Sequence, residues 1–388
     1  MTTVRTKPVP NAQSTLGTAI EALVTGQLAI IPTETVYGVA ALASDAAAVE
    51  RLRTLARVPE SARTSDQCWS WHAPSSKSVA AAFGPFRPLH ARILDRLTPG
   101  PVRLIIPAPT VEAADRWRKG LGLAAGVIDR QGEFTVRIPD HPVCNYLLER
   151  IQGPVIIERL SAFGLGGGRE LPEKATEMAR ALGIHVVLDD GPTRLGRPST
   201  AIRLAEDGGY DITEEGVLEE RYIRKKLDRV ILFVCTGNTC RSPMAEAIAR
   251  ALTSGAGPTE VPTRVLSAGV STRGGESMTL EAREALEALG IDAGRHVSRE
   301  LTRELIDQAE VIYAMTASHA AAIREIAPYA ADRVSLLDPS GRDVHDPIGG
   351  SSDVYSSTAL KLRGLIQARI DEDLSGDRPA PTPTGNMS

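Results

Sequence analysis

The chain is short of the residues that mark secreted, metal-bound or membrane proteins. Four cysteines among 388 residues cannot frame a disulfide scaffold, and a reducing compartment, which suits a nucleophilic thiol, is the expectation. The seven histidines are scattered, with no zinc-type Cys/His spacing, so no metal is expected. The opening MTTVRTKPVPNAQ lacks the apolar centre of a signal peptide, and no apolar run approaches the roughly 20 residues of a membrane span. These absences predict a cytoplasmic protein without a membrane partner. A formal net charge of -4 gives no global pull toward nucleic acid. With 42% hydrophobic residues, the length allows two domains, each with its own core.

What is present is concentrated at Arg229 to Leu252, RVILFVCTGNTCRSPMAEAIARAL. A run of β-branched and aliphatic residues breaks at Thr236-Gly237-Asn238 and resumes with Met244, Ile248 and Leu252 on one helical face. The pattern predicts a strand, a tight loop and a helix. Ser242 followed by Pro243 suits an N-cap and first helical position, so loop amides and the positive helix end should converge on an anion. Cys235 opens this loop and Arg241 closes it, which puts a thiol among donors beside a guanidinium and favours the thiolate. Amides from Thr236 through Thr239 and Cys240 to Arg241 could cradle three phosphoryl oxygens, with Arg241 as a fork. In-line attack by Cys235 would then give a phosphocysteine. Asn238 and Ser242 could fix the loop and donate to the thiolate. A triphosphate-binding loop would instead need a Gly-Lys-Ser/Thr ending, which is missing.

Downstream, strands are expected at 264–268, 311–315 and 334–337, and helices at 279–289, 302–309, 318–326 and 352–372. Such alternation predicts a parallel sheet covered on both faces, with its site at the carboxyl ends of the strands. The loop after the last strand reads Asp343-Val344-His345-Asp346-Pro347-Ile348-Gly349-Gly350. Asp346 could protonate the leaving atom and later activate water. His345 and Asp343 are alternatives, and an ordinary surface turn is the plain reading of Asp-Pro.

CTGNTCRSP, the SAG at Ser267 to Gly269, the AMT at Ala314 to Thr316 and the DP loop resemble low-molecular-weight protein tyrosine phosphatases across the second domain. The resemblance implies a phosphorylated protein substrate, no cofactor, and Cys235, Arg241 and Asp346 as catalytic residues. Tyrosine-specific members usually carry a bulky aliphatic before the second loop cysteine and aromatics after Asp-Pro. Here Thr239 and Ile348 stand there, so the chain looks most like the protein-arginine phosphatase branch, with phosphotyrosine as the alternative substrate. Cys240 is either packing behind the loop or a resolving thiol for oxidised Cys235.

The first domain is expected to begin with a helix from Ser14 to Leu23, stopped by Gly26, and a strand from Gln27 to Ile31. PTETVYG at 32–38, TPGP at 98–101, VRIPDHP at 136–142 and PST at 198–200 resemble the YrdC-like threonylcarbamoyl-AMP synthase family over roughly 14–215. The resemblance implies an α/β fold with a concave positive face, ATP as a ligand, Thr35 and Tyr37 at a substrate pocket, and Arg137, Ser199 and Thr200 near the nucleotide. Three places depart from the family. Ala56-Arg57-Val58-Pro59 replaces Lys-x-Arg-Pro, Arg159-Leu160-Ser161 replaces Ser-Ala-Asn, and Arg103 replaces a threonine. Residues 61–77 are polar and aperiodic rather than strand-like. Lost phosphate contacts at roughly 1.5–3 kcal/mol each weigh against adenylate synthesis. A scaffold that binds a ligand, an RNA (double-stranded RNA included) or the neighbouring domain is the expectation, and a bifunctional enzyme is the alternative. Gly164 to Gly168 fails the dinucleotide pattern, since Arg169 takes the last glycine's place, and reads as a flexible loop. Cys68 and Cys144 read as structural.

The resulting organisation is α/β throughout: a flexible stretch at 1–13, a YrdC-like domain at 14–212, a charged linker at 213–228, a parallel-sheet phosphatase domain at 229–373 and a disordered tail at 374–388.

Overall fold

The computed structural model describes residues 2–5, 12–56, 69–163, 171–254 and 261–375. They form two compact units that part between Leu227 and Asp228.

The first unit runs β1 (Thr2–Arg5), α1 (Ala12–Val24), β2 (Ala29–Pro32), β3 (Tyr37–Leu42), α2 (Ala46–Leu55), β4 (Trp71–His72), α3 (Ser76–Phe83) and α4 (Pro88–Leu97). It continues with β5 (Val102–Pro107), α5 (Val111–Leu121), β6 (Asp129–Arg130), β7 (Glu133–Arg137), α6 (Pro142–Arg150) and β8 (Val155–Arg159). It closes with α7 (Pro172–Leu182), β9 (Val186–Asp189), β10 (Thr200–Leu204), β11 (Tyr210–Glu214) and α8 (Glu220–Leu227). The strands make one mixed sheet, β1-β9-β2-β3-β8-β4-β7-β5-β10-β11, with β6 on β7. Apolar side chains fill both faces. Trp117 meets Phe83 and Phe134 edge-on at 4.9 and 5.2 Å on one face, while Leu23, Ile31, Cys144 and Leu147 pack on the other. PTETVYG is the β2–β3 hairpin, pinned by the Thr33 hydroxyl donating to Val36 O at 2.6 Å. Its glycine lets β3 close on β8, since a Cβ at Gly38 would sit 2.8 Å from Glu158 O.

The second unit comprises β12 (Arg229–Cys235), α9 (Arg241–Thr253), β13 (Thr263–Gly269), α10 (Leu280–Ala288) and α11 (Arg303–Gln308). β14 (Val311–Ala314), α12 (Ala317–Ile326), β15 (Val334–Leu336) and α13 (Ser352–Ser375) complete it. Its four strands are all parallel, in the order β13-β12-β14-β15. β12 is central, and successive side chains alternate between two cores. Ile231 and Phe233 face Met244, Leu286 and Leu362 of α9, α10 and α13. Val230, Leu232 and Val234 face Ile306 and Ile323 of α11 and α12. Burial on both sides explains why the strand reads as an unbroken apolar run.

Several expectations change. Residues 2–5, expected as loose lead-in, pair as β1 with β9. The charged stretch 213–228 is no free linker: Glu214 ends β11, and Ile223 and Leu227 of α8 are buried in the first unit's core. Two apolar residues four apart suffice to seat a helix whose other faces carry the charge. Of 61–77, expected to be irregular, residues 71–72 form β4 between β7 and β8, and Ser76 begins α3 behind Ser75 as its cap. Arg57-Val58-Pro59, Cys68, the run 164–168 and the tail from 376 lie outside the described residues.

Candidate active site

In a sheet ordered β13-β12-β14-β15, the chain leaves β12 toward neighbours on both sides, and the loops at the strands' carboxyl ends gather there. Residues 236–240 span from β12 to α9, and α9 starts at Arg241 with Cys240 as its cap. Ser242 is therefore inside the helix rather than its N-cap. The loop is tight enough for the helix to begin one residue before the Ser-Pro pair, which brings the hydroxyl to the thiol. Ser242 Oγ lies 2.9 Å from Cys235 Sγ, and Asn238 N donates to the same sulfur at 3.3 Å. The Asn238 N–H favours a negative sulfur, while the Ser242 hydroxyl can donate either to the sulfur or to Ala268 O at 3.4 Å.

Asn238 organises this geometry. It has φ 56, in the left-handed region that asparagine tolerates better than most side chains. That turn aims its N–H at the sulfur and sends its fully buried side chain under the loop. Its Nδ2 donates to Ser242 Oγ and Ser267 Oγ, both at 2.9 Å. Its Oδ1 accepts from Arg299 N at 2.9 Å, and its carbonyl lies 2.8 Å from His296 Nε2. Ser267 in turn donates to the carboxylate of Glu246 at 2.5 Å. Burial lowers the pKa of His296, so the neutral ring donates its Nε2–H to that carbonyl. Gly269 ends β13 directly beneath the loop. A Cβ there would stand 2.5 Å from Thr236 O, so only glycine admits this approach.

Among the described residues, the amides of Gly237, Thr239 and Cys240 donate to no backbone carbonyl. They lie at the N-terminal end of α9, the arrangement that binds anions. Arg241 is 4% exposed. Its guanidinium donates to Val344 O at 3.1 Å and Thr236 Oγ1 at 3.3 Å, and it pairs with the Asp346 carboxylate. The loop after β15 thus meets the loop after β12 through this arginine. Asp346 is only partly buried. Asp343 instead accepts from Ala317 N at 2.8 Å at the start of α12, and His345 is exposed. Of the three downstream candidates, Asp346 is the one at Arg241. Cys240 is buried behind the loop, its sulfur 3.6 Å from both Thr279 Oγ1 and Tyr355 Oη. Thr239 is partly exposed and its carbonyl accepts from Thr279 N at 3.1 Å, while Ile348 is 66% exposed.

The family model for low molecular weight phosphotyrosine protein phosphatases matches residues 230–374. A protein-arginine-phosphatase of Bacillus subtilis (strain 168) is 40% identical over 152 residues, 38% of this chain and 98% of that protein. The chain belongs to the low molecular weight phosphatase family. A low molecular weight protein-tyrosine-phosphatase of Acinetobacter johnsonii is 31% identical over 137 residues, 35% of this chain and 92% of that protein. The second unit is accordingly a cysteine-dependent protein phosphatase. Over the first unit, the Sua5, YciO and YrdC family model, described as telomere recombination, matches residues 21–216, so the chain belongs to that family as well. There a threonylcarbamoyl-AMP synthase of Bacillus subtilis (strain 168) is 26% identical over 197 residues. These are 50% of this chain and 51% of that protein, so the chain spans about half its length.

The first unit of this two-domain phosphatase has a cleft of about 290 Å³ lined by Thr33, Thr35, His72, Arg103, Arg137 and Ser199, among others. Thr35, Arg137 and Ser199 line it together. Tyr37 and Thr200 do not line it. Tyr37 is fully buried, its hydroxyl donating to Gly191 O at 2.7 Å, and burial raises its pKa. The Thr200 hydroxyl ties β10 to the loop after β11, donating to Leu218 O at 2.8 Å. Arg137 pairs with the buried carboxylate of Glu34 at 2.8 Å and donates to Thr35 Oγ1 at 2.7 Å. Arg103 pairs with Glu214 at 2.9 Å. Burial and the neighbouring Arg137 push the pKa of His72 down to about 3. Burial pushes the Cys144 thiol up to about 12, as suits a core residue.

Sequence reasoning missed Glu246, His296, Arg299 and His319 around the phosphatase loop, and gave Thr316, as part of the AMT segment, no role of its own. Three of them carried a local signal. Glu246 is a charge in a helix buried from Arg241 to Ala249, and Thr316 and His319 have the spacing of a helix cap.

Proposed function

We propose that the second unit hydrolyses phosphoarginine in proteins through a phosphocysteine. Cys235 attacks phosphorus in line, the P–N bond breaks, and the leaving guanidine takes a proton from the carboxyl of Asp346. Asp346, now a carboxylate, removes a proton from water as its oxygen attacks the phosphocysteine. The S–P bond breaks, releasing phosphate and restoring the thiolate. Arg241 and the amides of Gly237, Thr239 and Cys240 bear the equatorial oxygens through both steps. The chemistry uses side chains and water, with no cofactor.

Thr239 carries the choice of arginine over tyrosine. A short polar side chain in that loop position leaves room for a planar polar guanidine, and Ile348 offers no aromatic wall for a phenyl ring. The higher identity to the Bacillus subtilis protein-arginine-phosphatase, 40% against 31% for the Acinetobacter johnsonii tyrosine phosphatase, points the same way. Turnover of phosphoarginine-bearing and phosphotyrosine-bearing proteins by the full chain is the test, with Cys235→Ser as the inactive control. Thr239→Ile is expected to move the preference toward phosphotyrosine roughly tenfold. Faster hydrolysis of phosphotyrosine by the unmutated chain would overturn the arginine assignment.

The first unit is proposed to bind a ligand without making an adenylate. Two of its cleft arginines, Arg103 and Arg137, are already paired with carboxylates of the same unit, which leaves less positive charge for a triphosphate. Pyrophosphate release from ATP, bicarbonate and threonine by Cys235→Ser would overturn that reading.

A further inference from the structure

His319 is a buried imidazole, 5% exposed, that belongs to neither the nucleophile nor the acid, yet it touches the phosphate loop. Its Nε2 lies 2.9 Å from Thr236 Oγ1, and its Nδ1 lies 2.8 Å from Thr316 Oγ1. Thr316 caps α12, accepting from His319 N at 3.3 Å, and stands 2.8 Å from Ser318 Oγ. One direction satisfies every proton within this chain without recourse to water. Arg241 Nη2 can only donate, so the Thr236 oxygen accepts from it. The Thr236 hydroxyl proton is then free for the lone pair of Nε2. Nδ1–H donates to Thr316, whose own proton passes to Ser318. The opposite tautomer would leave the Thr236 proton without an acceptor in this chain, and the imidazolium would set a second cation beside Arg241.

We infer that His319 is a positioning residue of the phosphatase site: by accepting the Thr236 proton it turns the Thr236 oxygen onto Arg241 and steadies the guanidinium over the phosphate loop. Thr236 is otherwise exposed, and its hydroxyl would rotate freely toward water. His319 faces Arg241 from α9 and both Asp343 and Asp346 from the loop after β15. Burial first, and Arg241 second, lower its pKa and hold it neutral, while the two aspartates act the other way.

The inference rests on the phosphatase reading, and its test separates the two. The full chain, His319→Leu, His319→Gln, Thr236→Val and the double variant Thr236→Val/His319→Leu are compared on para-nitrophenyl phosphate, with inorganic phosphate as competitive inhibitor. His319→Leu is expected to lower kcat about tenfold, the scale of one hydrogen bond, and to weaken phosphate inhibition similarly. His319→Gln, whose amide oxygen can accept from Thr236, restores most of both. The double variant is no worse than Thr236→Val alone, because the histidine acts only through the threonine. Unmutated protein loses rate at acid pH as His319 gains a proton, and His319→Gln lacks that loss. Should His319→Leu not fold, the glutamine variant and its pH profile decide. Equal losses in the leucine and glutamine variants, full activity in His319→Leu, additive losses in the double variant, or an unchanged acid limb in His319→Gln would each overturn the inference while leaving the phosphatase intact. An unmutated chain that hydrolyses no phosphate ester or phosphoarginine sinks the phosphatase reading and this inference together.

Discussion

Arg241 and Arg137 are both buried arginines paired with a carboxylate, yet they are held in opposite ways. Arg137 in the first unit meets Glu34, which is 1% exposed in the β2–β3 hairpin, and Thr35 from the same turn. Arg241 in the second unit meets Asp346, whose side chain is 38% exposed on a long loop, and it stands beside three amides with no backbone acceptor among the described residues. A carboxylate fixed in a hairpin neutralises its arginine permanently, whereas one on a loop can turn toward an incoming group and leave the guanidinium to an anion. On the proposed mechanism, the same residue type serves architecture in one unit and anion chemistry in the other. What differs is how far the counter-charge can move.

Acid should separate the two units most strongly. His72 is held neutral by burial and by Arg137, with a pKa of about 3 against 6.5 for the free side chain. Between these values the unfolded chain binds a proton that the folded chain does not, so stability falls as pH drops from about 6.5 and levels off below about 3. The full loss is up to about 5 kcal/mol, from 1.36 kcal/mol per unit. Urea unfolding of the full chain at pH 7 and pH 4, followed by tryptophan fluorescence, measures it. All three tryptophans lie in the first unit. A midpoint that does not move on acidification would remove His72 as a buried neutral group.

Breaking each arginine's pair comes next. Arg137→Leu leaves Glu34 buried without its partner and is expected to cost about 3–5 kcal/mol of first-unit stability, with phosphatase turnover unchanged. Arg241→Lys keeps a charge but loses the fork, and should lower kcat about 10²–10³-fold with little change in unfolding. Equal effects of the two variants on turnover would erase the contrast between the arginines.

How much of this was legible beforehand follows from the same physics. β12 was readable because a parallel strand buried on both faces must be apolar throughout. The loop was readable because its donors and its thiol are consecutive in the chain, and the meeting of Asp346 with Arg241 followed from strands of one sheet sharing an edge. The network under the loop was not, since Asn238 gathers Ser267, His296 and Arg299 from segments 29 to 61 residues away. In the first unit, the motif residues Thr35 and Arg137 reach the cleft, but Tyr37 and Thr200 do not. A motif records which residues occur together, and a hydroxyl that pins the backbone leaves the same trace as one that faces a ligand. The role of α8 was hidden by its composition: charge density suggested a linker, while two buried residues, Ile223 and Leu227, seat it in the core.

Releasing a cleft arginine from its carboxylate should give the first unit some of the anion affinity proposed for the second. Glu214 is partly exposed at the end of β11 and pairs with Arg103 in the cleft. An ion pair of this exposure contributes about 0–1 kcal/mol, so Glu214→Gln should shift the melting of the first unit by no more than about 3 °C. The substitution nonetheless removes one negative charge from beside a cleft arginine, and an anion there should bind about fivefold more tightly at low salt. Titration calorimetry of the full-length Cys235→Ser chain with pyrophosphate, with and without Glu214→Gln, reads that gain, and rising salt should erase it. The double variant Arg103→Gln/Glu214→Gln carries no gain if Arg103 is the group released. A gain that survives in the double variant would assign the effect to general charge rather than to this pair, and no gain at all would mean that internal pairing is not what sets the cleft's affinity for anions.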